Sequence, residues 1–382
     1  MTSAASKMMR TGMSTGTATA AARGKGALLL LALAPLLSHA AEPDVPSQPM
    51  YAFNGFGTLG MVHSSERGAD FVFTNLQPLG AGRSHDWSAD VDSRFGLQLT
   101  GNFSPQLSAV LQVVSEYRWD GTYTPYVNWA NLKYALTPDF SVRVGRIALA
   151  SFLASDSRKV GYSNVTARPP TEVYRLLALE DSDGIDVVYR LHSGDVTNST
   201  TLLYGKSTVT NTRGIDVHST GVAGLFDTLQ RGALTLHAAY QVRDVDNQNP
   251  PLGRFMSFGS SYDPGDWFVA AEWVKAINFN ATGLKVVRAG WYVNGGWRIG
   301  NFTPYVTVSE LRPLTDTGVA PVAQRTYAGG MRWDLVRNCD LKLQWDQIHL
   351  GTNSYGTLQN IAPGTPPGGR VNIISLQADF IF

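Results

Sequence analysis

Cysteine is almost missing from this chain. Cys339 is the only one in 382 residues, which excludes an internal disulfide and a thiolate metal cluster. Charge is scarce too, at 16 % Asp, Glu, Lys and Arg. Beyond residue 40 no apolar run approaches the roughly 18–20 residues of a membrane-spanning helix. Amphipathic helix spacing at i, i+3, i+4, i+7 is rare as well. The seven histidines are scattered, with no H-x-x-x-H or H-E-x-x-H, so nothing in the spacing supports a metal centre or a cofactor. There is no G-x-S-x-G, the strand-to-helix turn of many hydrolases. "GFGTLG" does place Gly55, Gly57 and Gly60 at dinucleotide-fingerprint spacing, but "MVHSSERG" follows, with no helical period.

The first 40 residues form a targeting segment. Lys7, Arg10, Arg23 and Lys25 are their only charges, and "ALLLLALAPLL" then leads to Ser38-His39-Ala40. A basic region, a short apolar run and a small-x-small site predict a cleaved secretory signal over 1–40, a short segment over 41–50 and the folded unit over 51–382. The remainder carries 27 basic against 30 acidic residues, a net charge of −3, which argues against nucleic acid as a partner.

Alternation fills the rest of the chain. In "LSAVLQVVSEYR" (107–118) Leu107, Ala109, Leu111, Val113 and Tyr117 oppose Ser108, Gln112, Glu116 and Arg118. In the closing "VNIISLQADFIF" (371–382) Ile374, Leu376, Ala378, Phe380 and Phe382 oppose Ser375, Gln377 and Asp379. A strand sends successive side chains to opposite faces, so each such segment has one dry and one wet face. Sixteen segments of this kind can be counted: 51–62, 88–101, 106–118, 125–136, 139–147, 184–191, 198–207, 216–229, 232–243, 253–262, 266–277, 284–298, 301–311, 325–335, 339–349 and 371–382. Short turn-like links such as "NFSP", "HSGDVT" and "QRG" follow even segments, and longer links, including 63–87, 148–183 and 350–370, follow odd ones.

This predicts an all-β fold, a 16-stranded antiparallel transmembrane β-barrel with its dry face toward lipid and its wet face toward a water-filled lumen. A soluble sandwich fits poorly, because its dry faces must meet in one core. Tyr117, Trp119, Tyr126, Tyr134, Tyr189, Trp267, Trp273, Trp291 and Trp333 fall mostly near predicted strand ends, where interfacial girdles sit. Parity then aims Arg94, Arg118, Lys133, Arg143, Arg190, Arg243, Arg288, Arg298, Arg332 and Lys342 inward, against Glu116, Asp186, Glu272, Asp334, Asp346 and Asp379. Ten basic positions against six acidic ones lean the wall toward anions.

The chain resembles the Gram-negative general porin family over essentially its whole length after residue 40. The resemblance rests on the opening "AFNGFGTLG", on "DSRFGLQLTGNFSPQLSAVLQ", on "FSVRVGRI" before the longest early loop, and on the phenylalanine that ends the last strand. It implies an outer-membrane homotrimer passing small hydrophilic solutes, with outer-membrane lipid, lipopolysaccharide and the assembly machinery as partners. A third loop folded into the pore would set acidic residues against wall arginines. By position the wall arginines are Arg94, Arg143 and Arg146, and the loop acids are Glu180, Asp181 and Asp183, with Asp156 and Glu172 as further candidates. Arg146 has the opposite parity to Arg143 and reaches the lumen only through a bulge at Gly145. "RPPTEVYRLLALEDSDG" (168–184) stands where many enteric porins carry a "PEFGG"-type motif. Phe382 matches the residue that assembly machinery reads in porins. Two alternatives stay open: a substrate-specific channel, and a barrel enzyme with a nucleophile or carboxylate pair beside His218, His237 or His349.

Overall fold

A computed structural model of the chain describes residues 49–246, 248–315 and 321–382; the expected targeting segment lies outside them. The described residues form a closed antiparallel barrel of sixteen strands. These are β1 (Tyr51–Ser64), β2 (Arg94–Asn102), β3 (Leu107–Glu116), β4 (Tyr126–Ala135), β5 (Phe140–Ala148), β6 (Asp181–Ser193), β7 (Val196–Thr210) and β8 (Asp216–Arg231). The second half comprises β9 (Leu234–Val245), β10 (Leu252–Tyr262), β11 (Trp267–Phe279), β12 (Lys285–Trp297), β13 (Phe302–Pro313), β14 (Gln324–Val336), β15 (Cys339–Leu350) and β16 (Gly369–Ile381). Each pairs with its sequence neighbours, and β16 pairs with β1, so that no barrel strand is left as an edge.

The alternation seen in the sequence sorts residues between two environments. On β16, Ile374 and Leu376 are exposed on the outer surface while Ile373, Ser375, Gln377 and Asp379 are buried inside. Leu59, Leu202, Phe258, Val306 and Leu343 continue the outward apolar surface around the barrel. One end carries links of two to four residues, such as 194–195 and 337–338. The other carries 65–93, 149–180 and 351–368 along with links as short as 211–215.

The inward face is not wet throughout, which corrects the simple dry-out, wet-in expectation. Leu203, Val222, Phe226, Ala239, Phe255, Val274, Ala276 and Tyr292 point inward from β7–β12 and are buried. Leu149, Phe152, Val173, Tyr174, Leu177 and Leu179 of the 149–180 segment pack on them. A second apolar cluster joins Phe71, Phe73, Val91 and Leu358 of the long links to Val62, Ile348, Val371 and Ile373 of the wall. Apolar side chains inside the barrel are the partners that let long links hold a fixed position against it.

Closure at the short-turn end is completed by Phe382. Its amide donates to the Gly55 carbonyl at 3.0 Å and its carbonyl accepts from the Gly55 amide at 2.8 Å. Its ring covers Gly55, where a Cβ would lie 2.2 Å from the ring, and it stacks on Phe95 at 6.2 Å between centroids. Deleting Phe382 should lower the yield of assembled barrel several-fold and leave the conductance of assembled barrels unchanged. Heat-modifiable gel mobility measures the first and planar-bilayer recording the second; normal yield would remove this role from Phe382.

Candidate channel constriction

The 149–180 segment is fixed to the wall by buried polar anchors. Arg168, 4 % exposed, donates from Nε and Nη2 to the two Asp92 oxygens at 2.9 and 2.5 Å, from Nη1 to Asp346 at 3.3 Å and from Nη2 to Ser375 Oγ at 2.6 Å. Burial works against both charges of the Arg168–Asp92 pair. Their mutual attraction outweighs it, holding Asp92 below the ordinary carboxylate range and raising Arg168. Three residues beyond Arg168, the segment forms a second anchor system at the one-turn helix α1 (Thr171–Tyr174). Glu172 there accepts from Ser309 Oγ at 2.9 Å and from Thr326 and Gln324. Arg175 binds Asn75 Oδ1 at 2.9 Å and the Val72 and Thr357 carbonyls, which ties the segment to both other long links. Burial lowers Arg175 to about 10.

A charged cluster forms where the segment meets β2–β4. Lys159 bridges Glu116 of the wall and Glu180 of the segment, the latter at 2.8 Å. Glu180 also pairs with Arg158, and Tyr126 donates its hydroxyl to Glu116 at 2.6 Å. Arg94 stands opposite Glu116 across the β2–β3 ladder, with its guanidinium 5.2 Å from the Phe73 ring centroid. Arg118 lies 3.9 Å above the Tyr126 ring centroid. Four cations (Arg94, Arg118, Arg158, Lys159) thus surround two carboxylates. Two cavities meet at Glu180, one lined by Phe73, Arg94, Glu116 and Arg118, the other by Gln112, Asn128, Asp156, Arg158 and Lys159. Burial lowers Lys159 to about 8, against the pull of Glu116.

The remaining expected residues separate into distinct places. Arg143 points inward and holds Asp186 of β6 with Nε at 3.0 Å and Nη2 at 2.5 Å. Lys133, its ladder partner on β4, and Arg190 on β6 face the same wall without an ion pair among the described residues, as does Arg288 on β12. Arg332 donates to the Tyr162 and Asn164 carbonyls of the segment and to Asp334 and Asp340. Arg298 lies just past β12 and ties two short turns together through Asp263, at 2.7 Å.

Arg146, Asp181 and Asp183 need a correction. The ladder passes Gly145 with no register shift on either side, although its φ is +125°. Without a bulge, Arg146 keeps the parity opposite to Arg143 and faces outward. There it pairs with Asp183 at 2.8 Å and Asp181 at 3.7 Å, which share the outward face of β6. Asp156, an exposed carboxylate on the segment, has no ion-pair partner among the described residues. Sequence reasoning missed Arg158, Lys159 and the Asp92–Arg168–Asp346 anchor. The doublet Arg158-Lys159 inside an otherwise polar stretch was a visible signal, but its wall partner lies 43 residues away.

The histidines that an enzymatic reading would need sit elsewhere. His218, His237 and His349 contact Thr208, Thr228 and Gln347, and none has a carboxylate partner among the described residues.

No protein-family model and no curated protein matches the chain. Solved structures do. The anion-selective porin from Comamonas acidovorans matches with a TM-score of 0.57 at 12 % identity, over 87 % of this chain and 99 % of its own. OmpF of Salmonella typhi, solved with daunomycin, matches at 0.58 and 11 %, over 87 % and 97 %. The trimer form of the Vibrio cholerae outer-membrane protein OmpT matches at 0.56 and 12 %, over 87 % and 100 %. At these identities the likeness shows the fold: the chain has the closed sixteen-stranded barrel of the Gram-negative porins.

Arg168→Met should be severe, since it leaves Asp92 and Asp346 buried without a cation. A loss of about 3 kcal/mol is expected. A clear drop in the thermal unfolding midpoint, with noisier single-channel current as the segment loosens, would bear it out; an unchanged midpoint would show that the anchor contributes little.

Proposed function

We propose that this protein is an outer-membrane diffusion channel for small hydrophilic solutes, narrowed by the 149–180 segment and inclined toward anions. The observation that carries the reading is the cluster of Arg94, Arg118, Arg158 and Lys159 around Glu116 and Glu180 inside a closed barrel. A closed sheet crosses hydrocarbon with every backbone group paired, and only its interior can hold water and charge. Fixed charges across a narrow aqueous gap order water and orient dipolar solutes, while width excludes large ones.

The apolar packing on β7–β12 supports an off-centre path, because it fills that side and leaves the charged wall of β2–β6 to the solute. Lys133 and Arg190, with no acid paired to them, extend the positive character of that wall beyond the cluster. The same asymmetry favours a second reading, a channel specific for one class of anionic solute. Trimers, as in the porin neighbours, and delivery by outer-membrane assembly machinery belong to the proposal, together with export by a cleaved signal.

Planar-bilayer recording of refolded protein tests it. Stepwise conductance with a reversal potential favouring chloride in a KCl gradient is expected. Absence of conductance would refute the channel, and strong cation preference would refute the anion lean. Saturable current blocked by a single solute would favour the specific channel. The pH dependence has a definite sign. Because burial lowers Lys159 to about 8, its positive charge is present at pH 7 and largely gone at pH 9. Anion preference should therefore fall as pH rises through that range, and Lys159→Met should show the lower preference at both pH values with no step. A step that persists in the variant would assign it to another group.

A further inference from the structure

On the inward face of β1–β4, the wall loses all charge just to the short-turn side of Arg94 and Glu116. One row of the sheet there holds Asn54 on β1, Gln98 on β2, Gln112 on β3 and Trp129 on β4, each the ladder partner of the next. The rows to either side, from Phe56 across to Tyr126 and from Ala52 across to Asn131, bring no charge either. Asn54, Gln98 and Gln112 share the parity of Thr58, Arg94 and Glu116, and Trp129 shares that of Lys133, so all four point into the barrel. The β3–β4 ladder shifts register between Gln112 and Val113. A bulge of this kind re-aims a side chain, and here it sets Asn128 beside Trp129 on the inner side, where both line one cavity with Gln112 and Phe56.

The amides of this belt form a directed chain. Asn128 Nδ2 donates to Gln112 Oε1 at 2.7 Å, and Gln112 Nε2 donates to Gln98 Oε1 at 2.9 Å. Gln112 is thereby held on both sides and is 4 % exposed. Every amide carries both donors and an acceptor, so a chain of three leaves groups unused at its two ends. Asn128, 3 % exposed, keeps Oδ1 without a hydrogen-bond partner. Among the described residues, Gln98 Nε2, the Asn54 amide and the Trp129 indole N–H have none either, and these three side chains are only half-buried.

Such a belt offers an ion nothing, because its groups are neutral. Unused donors and acceptors beside an aromatic face suit a pyranose instead. Sugar hydroxyls donate and accept in the manner of amides, and the apolar C–H face of the ring lies flat on an indole. Because Gln112 is already fixed by its neighbours, little side-chain order remains to be imposed on binding. We propose that Asn54, Gln98, Asn128 and Trp129 form a saccharide subsite for an uncharged pyranose, with the sugar ring stacked on Trp129 and its hydroxyls bonded to the amides. It rests on the channel reading only for the access of the sugar to the lumen.

Saturation-transfer NMR of the folded, detergent-solubilised full barrel tests this, with methyl glucoside, mannitol and glucuronate as probes. Methyl glucoside should bind in the millimolar range, and mannitol, which has no ring face, several-fold more weakly. Trp129→Leu should weaken the glucoside about tenfold, Trp129→Phe should keep most of the affinity, and Gln98→Leu should lose several-fold. Heat-modifiable mobility confirms that each variant is folded. Equal glucoside binding by Trp129→Leu, or equal binding of mannitol by wild type, would overturn the subsite. Tighter binding of glucuronate than of the glucoside would overturn the neutral assignment and move recognition to the charged cluster. Absence of glucoside binding in a barrel that conducts would overturn this proposal alone. Glucoside binding in a barrel that carries no current would support the subsite and refute only the channel reading.

Discussion

Hydrocarbon offers no partner to a backbone N–H or C=O, and the joining of β16 to β1 is how this chain meets that condition. Much else depends on it. A closed antiparallel sheet with even strand number brings both ends of the barrel chain to one rim. That rim is where the Phe382 backbone exchanges hydrogen bonds with Gly55 and its ring covers the glycine. Closure also creates the only compartment in which polar side chains can face inward. The buried polar residues of β14–β16, among them Arg332, Asp340, Lys342, Gln344, Asp346 and Asp379, exist because the sheet around them is closed.

Inside that compartment, charge and apolar surface are segregated. The β7–β12 side is filled by Phe152, Tyr174, Phe226, Phe255 and their neighbours. The β2–β6 side carries Arg94, Glu116, Lys133, Arg143 and Arg190. The 149–180 segment lies between, held by apolar packing on one flank and by Arg168, Glu172 and Arg175 around its helical turn. Most buried charges have opposite charges beside them, as their desolvation demands. The polarity of the contact facing the cavities is partly reversed from the simple porin expectation, because the segment brings cations, Arg158 and Lys159, to a glutamate on the wall. Acids confined to the segment would have repelled Glu116; a basic doublet next to Glu180 satisfies both carboxylates at once.

How much of this could be seen in the sequence depends on the range of the interaction. The sixteen strands were legible because a two-residue period is local: Ile374, Leu376 and Ala378 announce their face without reference to any other segment. Turn positions were legible for the same reason. The inward apolar cluster was not, since in "TLLYGKS" both Leu202 and Leu203 are apolar and only the interior cluster that also holds Phe152 shows Leu203 to be the buried one. The anchors were not either. Arg168 meets Asp92 and Asp346 at separations of 76 and 178 residues, and no spacing rule connects them. Strand ends drifted where links are long: β2 begins at Arg94, not at 88, since 65–93 contains its own short pairings, Asp70–Phe71 with Ala81–Gly82.

Arg143 and Arg146 show how little separates a lumenal role from an outer one. They are three residues apart on β5, each holds an aspartate of β6, and each pair is a cross-strand neighbour in the same ladder. Parity alone sends the first to the barrel interior and the second to the outer surface. The same rule assigns Arg288 to the lumen and Lys275 and Arg312, on the flanking strands, to the outer surface. Composition cannot distinguish these arginines and lysines, so a count of basic residues says nothing of selectivity until each is given a face. In a barrel, parity fixes the compartment in which a charge acts. Register then fixes whether it arrives there already neutralised by an opposite charge on the neighbouring strand.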